Sequence, residues 1–100
     1  MEKHIKNYIT HFDIIIDEYV PCEHCKTKQG FDFHHIINRM KARPELDEVE
    51  NIILLCTKCH ELAHKSKLSR GLLYTIHREK LLSKGAYNKE LFDKFVREAI

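Results

Sequence analysis

Four histidines in one stretch of this 100-residue chain have the residue type and spacing needed for metal binding and proton transfer. His34 and His35 are adjacent, His60 and His64 lie four positions apart, and Asn51 falls between the two pairs. Imidazoles bind transition metals and borderline divalent ions. A neutral imidazole is also a suitable general base near pH 7. This stretch is therefore the first candidate for a chemical site.

Four cysteines are interleaved with these histidines as two C-x-x-C pairs, Cys22 with Cys25 and Cys56 with Cys59. A chain of this length buries only a little over ~60% of its unfolded surface, so its apolar core alone is marginal and a staple is expected. Two such pairs in a cytosolic chain are typical of a tetrathiolate zinc site. Because structural zinc contributes on the order of 10–16 kcal/mol in small peptides, we expect zinc to be a condition of folding.

Other interpretations of the cysteines account for less of the sequence. Residues 1–6 are charged and provide no secretion signal, so we expect a cytoplasmic protein without disulfides. The segment from Cys56 to His60 matches the attachment pattern of c-type haem, but that cofactor requires export and leaves the other pair unexplained. The pair Cys22 and Cys25 lacks the surrounding βαβ pattern of a thioredoxin-like redox site. Structural zinc accounts for all four thiols.

The distribution of charge is more informative than the net charge, which is only +2. A phosphate-binding surface requires bases beside the chemistry. Six basic residues close to the histidines are candidate nucleic-acid contacts: Arg39, Lys41, Arg43, Lys65, Lys67 and Arg70. The alternative interpretation is an ordinary solvated charged face. No run of the sequence is apolar for long enough to cross a bilayer, so no membrane partner is expected.

The hydrophobic pattern predicts the elements that must position these side chains. Apolar residues at helical spacing predict a helix over residues 3–20, although residues 14–16 could instead end a strand. Short apolar runs predict strands over residues 31–37 and 51–55, joined by a polar loop around Pro44 that is too long for a tight turn. A helix is predicted to follow Thr57, which would be its N-terminal cap. Two more are predicted over residues 69–100, where Gly85 ends the first and Asn88 caps the second.

These elements would bring three of the four imidazoles together. Side chains at positions i and i+4 share a helix face, so His60 and His64 project together. Neighbouring residues of a strand point to opposite sides, so His34 and His35 cannot serve one ion in the same way. A helix folded back over the strands would gather His34, His60 and His64 and leave His35 to handle a proton. Hydrolysis of a phosphodiester requires that separation of roles.

The sequence resembles the HNH endonucleases in the form that carries an embedded four-cysteine zinc site. The matching residues are Cys22-x-x-Cys25, Asp32-x-His34-His35-Ile36, Asn51-Ile-Ile-Leu-Leu-Cys56 and Cys59-His60-x-x-x-His64. They span Cys22 to about Lys65, and cysteines and nuclease residues interleave in the family's order. The resemblance implies an α+β, mostly helical fold with a ββα-metal (His-Me finger) core at about residues 22–66. We expect one domain over residues 1–100, with flanking helices over residues 3–20 and 69–100.

The resemblance also implies roles for the site residues. His34, His60 and His64 look like ligands of a catalytic divalent ion, and His35 looks like the general base that deprotonates the attacking water. Asn51 looks like the residue that holds the loop between the strands so that His35 is correctly aimed. Asp32 occupies the place of a supporting acid that is more often glutamate.

The function implied is a metal-dependent endonuclease that cuts DNA, with a structural Zn²⁺ and one catalytic cation, which could be Mg²⁺, Mn²⁺, Ni²⁺ or Zn²⁺. One alternative is a zinc-stabilised DNA-binding or adaptor module without catalysis. Another is a nuclease subunit active only in a larger assembly, such as phage packaging or restriction machinery. A homodimer is also open, because the apolar stripe over residues 91–100 could support one. Side chains that contact phosphate carry no sequence information, so sequence specificity is not predicted.

Overall fold

The computed structural model of the protein describes residues 1–15 and 17–99. Four helices and one two-stranded sheet make up the fold, so the predicted α+β, mostly helical class is confirmed. In chain order the elements are α1 (Lys3–His11), β1 (Asp32–His35), β2 (Ile52–Leu55), α2 (Thr57–His64), α3 (Arg70–Lys84) and α4 (Lys89–Ala99). Two short 3-10 turns, Pro44–Asp47 and Val49–Asn51, occupy the predicted loop between the strands. Within the described residues, no helix is both long enough and apolar enough to cross a membrane.

The two strands pair antiparallel, with His34 opposite Ile53 and His35 opposite Ile52. Every residue of β2 is buried in the core, and α2 packs against both strands. Both strands are shorter than predicted. Asn51 lies in the preceding 3-10 turn, where its side chain bonds to the loop and its backbone carbonyl accepts a hydrogen bond from the N–H of Ile36 at 2.9 Å.

The N-terminal helix is a correction to the sequence prediction, because α1 ends at His11 and does not continue to residue 20. Asp13 and Asp17 have φ angles of 53° and 69°, in the left-handed region that a right-handed helix cannot include. The strand considered for residues 14–16 is not formed by Ile14 or Ile15, and Ile16 lies outside the described residues. Ile15 and Tyr19 are exposed, so the apolar spacing of this segment does not mark the buried face of a continuous helix.

Helix α2 is capped by Cys56 and not by Thr57, which is its first helical residue. Cys56 has extended backbone angles, with φ −72° and ψ 165°, and its Sγ accepts a hydrogen bond from the backbone N–H of Cys59 at 3.5 Å. A residue in that conformation places its side chain over the first helical turn. The first turn of α2 is therefore built on a thiol that also belongs to the cysteine cluster.

The C-terminal helices follow the predicted boundaries. Ser69 caps α3 by accepting a hydrogen bond from the N–H of Leu72 at 3.1 Å, and Gly85 ends it with a φ of 90°. Asn88 caps α4 by accepting from the N–H of Leu91 at 3.0 Å. The apolar stripe of α4 packs inward, since Phe92 and Phe95 are buried in the core; Ile100 lies outside the described residues.

Candidate active site

The four cysteines lie together. Cys22 and Cys25 are on the loop between α1 and β1, and Cys56 and Cys59 are at the start of α2. All four Sγ atoms are within 4.8 Å of one another, and those of Cys25 and Cys56 are 3.8 Å apart. Thiolates bound at about 2.3 Å to a tetrahedral ion are themselves separated by about 3.8 Å. None of the four thiols forms a disulfide. The donor set and its spacing therefore fit a structural metal ion.

The electrostatics of the cluster also favour a cation. Hydrogen bonds from the Thr27 hydroxyl and from the backbone N–H groups of Thr27 and Lys28 lower the pKa of the Cys25 thiol to about 5. Burial and the neighbouring thiols raise the pKa of Cys59 in the absence of an ion. The Nδ1 atom of His24 lies 3.3 Å from Cys59 Sγ, where an N–H would stabilise a thiolate. A divalent ion would remove the repulsion between these thiolates.

A buried polar network behind the first cysteine pair is a feature that the sequence prediction missed. Glu23 is buried, and its carboxylate accepts hydrogen bonds from the hydroxyl of Tyr8 at 2.6 Å and the N–H of Leu54 at 3.0 Å. His77, which is fully buried, places Nδ1 2.7 Å from the same carboxylate and Nε2 2.7 Å from the carbonyl of Val49. With the Glu23 carboxylate ionised, both partners are acceptors, so both ring nitrogens donate and His77 carries a positive charge.

The pKa of His77 supports the same assignment. Burial lowers it, but the Glu23 carboxylate and the Val49 carbonyl raise it by more, so the net direction is upward. A sequence signal for this residue exists. His77 lies on the same helix face as Leu73 and Leu81, four residues to either side, and a histidine on an apolar face must find buried partners.

Three of the four predicted histidines converge at the other end of α2. Ring nitrogens of His34 on β1 and of His60 and His64 on α2 all lie within 4.8 Å of one another. The Nε2 atoms of His60 and His64 are 3.0 Å apart. Nitrogen ligands at 2.0–2.1 Å from one ion are separated by about 2.9–3.4 Å, so this spacing fits a shared metal. His34 and His60 are half-buried and His64 is exposed, which leaves the cluster open on one side.

The environment of His34 keeps its ring available as a ligand. Burial, followed by the charges of His60 and His64, lowers the pKa of His34 to about 4, so its ring is neutral at physiological pH. Asp32 lies outside the cluster, with Oδ2 3.2 Å from Nδ1 of His60. A carboxylate on the second nitrogen of a ligand histidine fixes the orientation of its ring. The short side chain of Asp32 therefore reaches His60 directly.

His35 does not join the three imidazoles. Its Nε2 atom lies 2.8 Å from Oδ1 of Asp47, in a separate cluster. It nevertheless lines one open pocket of about 210 Å³ together with His34, His60 and His64. As expected for neighbouring residues of a strand, His34 and His35 contact different groups, yet both rings line the same pocket.

Asn51 is fully buried and bonds to the chain on either side of the loop. Its side-chain amide donates to the carbonyls of Ile37 at 3.0 Å and Leu46 at 2.9 Å. Its Oδ1 accepts from the N–H of Ile37 at 2.9 Å and from the hydroxyl of Tyr74 at 2.7 Å. Ile37 follows His35 by two residues, so these hydrogen bonds from Asn51 hold the chain just after the strand that carries the histidine pair.

The six basic residues predicted beside the site differ in their surroundings. Arg39 lines the histidine pocket, and Arg70 lines a neighbouring pocket of about 350 Å³ together with His34 and His64. Lys41 and Lys67 are exposed, and Lys65 is exposed next to Glu61 at 3.2 Å. Arg39 and Arg70 are therefore the two bases that line the pockets with the histidines.

Arg43 is held by two carboxylates. Its guanidinium forms a two-pronged ion pair with Glu98, at 2.6 and 2.8 Å, and its Nε donates to Glu45 at 2.8 Å. These contacts join the inter-strand loop to α4.

The fold and site together define the ββα-metal class: an antiparallel pair of strands and a following helix, with histidines from strand and helix at one pocket. Residues 22–66 match the family model described as HNH endonuclease, which confirms the resemblance to the HNH endonuclease family over that segment. The segment contains both cysteine pairs, the histidine pair, Asn51 and all of α2. Neither the curated proteins nor the solved structures provide a match to the chain. A nuclease-type function follows from the family in general terms.

Proposed function

We propose that the protein is a metal-dependent endonuclease that hydrolyses DNA phosphodiester bonds, with His35 as the general base. One observation carries the proposal. Three imidazoles converge within ligand distance of one another, while the fourth lines the same pocket without joining them. Metal-dependent hydrolysis of a phosphodiester requires a metal ligand and, beside it, a base that does not bind the metal. A module that only binds DNA has no use for such a base.

His34, His60 and His64 would hold the catalytic ion, with Asp32 supporting His60. When bound, a divalent cation such as Mg²⁺, Mn²⁺ or Ni²⁺ supplies Lewis-acid stabilisation of charge at the scissile phosphate and at the departing oxygen. The four cysteines would hold Zn²⁺ at a site with a structural role. The closed thiolate set and the open imidazole set correspond to the usual difference between structural and catalytic metal sites.

The chain's own residues would perform the proton transfer. His35 would accept the proton of the attacking water, a contribution typically worth ~10²–10⁴ in rate. Asn51 would act through the backbone: its bonds to both the N–H and the carbonyl of Ile37 hold the strand end that carries His35. Neither residue needs to contact the metal ion for these roles.

DNA would approach over the pocket that the histidines share. Arg39 and Arg70 would contact phosphates, with Lys41, Lys65 and Lys67 contributing to the surrounding field. Each phosphate contact adds to the salt dependence of binding and contributes no sequence preference.

We also propose that residues 1–100 form one domain. His77 of α3 contacts Glu23 of the cysteine loop, and the N–H of Asn88 donates to the Glu50 carboxylate at 2.8 Å. The C-terminal helices, which lie outside the family-matched segment, are thus joined to it by one buried and one part-buried polar contact.

The test is cleavage of plasmid DNA by zinc-loaded protein with Mg²⁺, Mn²⁺ or Ni²⁺, comparing wild type with His35→Ala. We expect His35→Ala to lose about 10²- to 10⁴-fold in cleavage rate, since it lacks the base. His11→Ala is the matched control, because it removes an imidazole that does not line the histidine pocket. Wild-type protein that binds DNA and cuts it with none of these ions would instead favour an adaptor module, and cutting that appears only with added partners would favour a subunit of a larger assembly.

A further inference from the structure

His35 belongs to a third cluster of side chains, formed with His4 and Asp47, that the proposed reaction does not yet use. One ligand-type atom from each residue lies within 4.8 Å of the others. The Nε2 atom of His35 is 2.8 Å from Oδ1 of Asp47, and the rings of His4 and His35 have centroids 4.3 Å apart with a tilt of 46°. The side chains of His35 and Asp47 are only 14% and 10% exposed, so the contact is largely shielded from water.

The contact with Asp47 decides which nitrogen of His35 can act as the base. An ionised carboxylate only accepts hydrogen bonds, so Nε2 must carry the hydrogen and Nδ1 of the neutral ring must carry the lone pair. Among residues 1–15 and 17–99, the one buried side-chain polar atom without a partner is Nε2 of His11. Nδ1 of His35 has no hydrogen-bond partner among those residues and is not fully buried, so it retains some exposure to solvent.

Asp47 is itself held in place from two directions. It ends the 3-10 turn Pro44–Asp47, and its backbone carbonyl accepts a hydrogen bond from the side-chain amide of Asn7 on α1 at 2.9 Å. The preceding carbonyl, of Leu46, is bonded by Asn51 at 2.9 Å. The other charge near the carboxylate is Arg39, whose Nε lies 3.8 Å from the same oxygen.

We propose that Asp47 is a positioning residue for His35: it holds the hydrogen on Nε2 and turns Nδ1 towards the pocket, while His4 packs against the ring and limits its rotation. The inference rests on the proposed function of His35 as the general base. It extends the site beyond the segment that the family model matches, because His4 and Asn7 lie on α1 and outside residues 22–66.

The first experiment compares Asp47→Asn with wild type in the cleavage of plasmid DNA at saturating divalent ion. We expect kcat to fall about 10- to 100-fold with KM unchanged, the range seen when a carboxylate that orients a functional histidine is removed. Asp93→Asn is the matched control, because Asp93 lies on α4 and pairs with Lys89 away from the pocket. A folded Asp47→Asn with wild-type kcat would overturn the proposal, as would a loss confined to KM.

The second experiment is ¹⁵N NMR of the histidine rings in the zinc-loaded protein, which reports the tautomer without reference to cleavage. We expect the Nε2–H form for His35 in wild type and a mixture of tautomers in Asp47→Ala. The Nδ1–H form in wild type would overturn the proposal even if the Asp47 variants fail to fold. If wild type cuts no DNA, the proposed function fails while the tautomer still tests the contact.

The same spectra test a different use of these atoms. Two histidines and a carboxylate can also bind a divalent ion. In a His60→Ala variant, added Zn²⁺, which is diamagnetic, should leave the ring ¹⁵N chemical shifts of His4 and His35 unchanged if Asp47 serves as a hydrogen-bond acceptor. A coordination shift at a ring nitrogen of both residues would make the cluster a metal site that blocks the base, and it would overturn the positioning role.

Discussion

The cysteine cluster and the histidine cluster are two candidate metal sites that both include residues of the short helix α2, and they differ mainly in burial. Cys56 and Cys59 lie at the start of α2 and are buried, whereas His60 is half-buried and His64, at its end, is exposed. A closed set of four thiolates leaves no coordination position for a substrate. Three imidazoles beside an open pocket leave such a position free. The comparison indicates that α2 is anchored at one end so that its other end can present ligands.

The two clusters are also supported differently. Behind the cysteines lies a buried charged pair, Glu23 with His77, which connects the first cysteine pair's loop to α3. Around the histidines the supporting groups are the half-buried carboxylate of Asp32, the buried carboxylate of Asp47 and the buried amide of Asn51. We therefore expect changes at the cysteine end to alter stability and changes at the histidine end to alter activity.

The largest effect should come from removing the structural ion. Chelation of zinc, or the substitution Cys56→Ala, should unfold the protein, since structural zinc contributes on the order of 10–16 kcal/mol in small peptides and exceeds the stability of most small domains. The histidine end provides the control: His64→Ala should melt close to wild type by circular dichroism. A zinc-free protein with the melting curve of the zinc-loaded wild type would contradict the structural role of the cysteine cluster.

The next largest effect should come from the buried pair. His77→Ala leaves the Glu23 carboxylate buried without its cation, which typically costs about 3–5 kcal/mol. Urea unfolding of the zinc-loaded protein measures this loss. Glu61→Ala, which breaks an exposed pair with Lys65, is the control and should change stability by less than ~1 kcal/mol. Equal losses of stability in His77→Ala and Glu61→Ala would show that the buried ion pair contributes no more than the exposed one.

A smaller effect is the pH dependence of the same pair. The folded-state pKa of His77 lies above its unfolded value near 6.5. The folded state therefore binds the proton more tightly, and the contribution is fully present below the unfolded pKa and is lost as pH rises through the folded pKa. We expect the stability difference between wild type and His77→Gln to narrow on raising the pH through that range. A difference that widens would contradict the charged assignment of His77.

Local patterns were enough to predict much of this molecule. The cysteine pairs, the strand that carries His34 and His35, and the caps of α3 and α4 depend on residues close in sequence, and the structure contains all of them. The confirmed fold class followed from the same patterns together with the family resemblance. The end of α1 was not predictable in this way, because left-handed angles at Asp13 and Asp17 interrupt a spacing that otherwise continues.

The contacts that the sequence did not reveal join distant positions. Glu23 meets His77 across 54 residues, and Arg43 meets Glu98 across 55, so neither pairing leaves a local pattern. Nothing local distinguishes Asp47 from the other acidic residues of its loop, yet the fold directs its carboxylate to His35. Such partners are set by which elements pack together, and that information lies in the tertiary structure.

The separation of metal ligand from base is tested most directly by measuring Ni²⁺ binding and DNA cleavage on the same zinc-loaded variants. We predict that His35→Ala binds Ni²⁺ as wild type does but loses about 10²- to 10⁴-fold in cleavage rate, whereas His60→Ala loses both. An unimpaired cleavage rate in His35→Ala would contradict the account. So would the loss of Ni²⁺ binding in that variant, because His35 would then be a ligand and not the base.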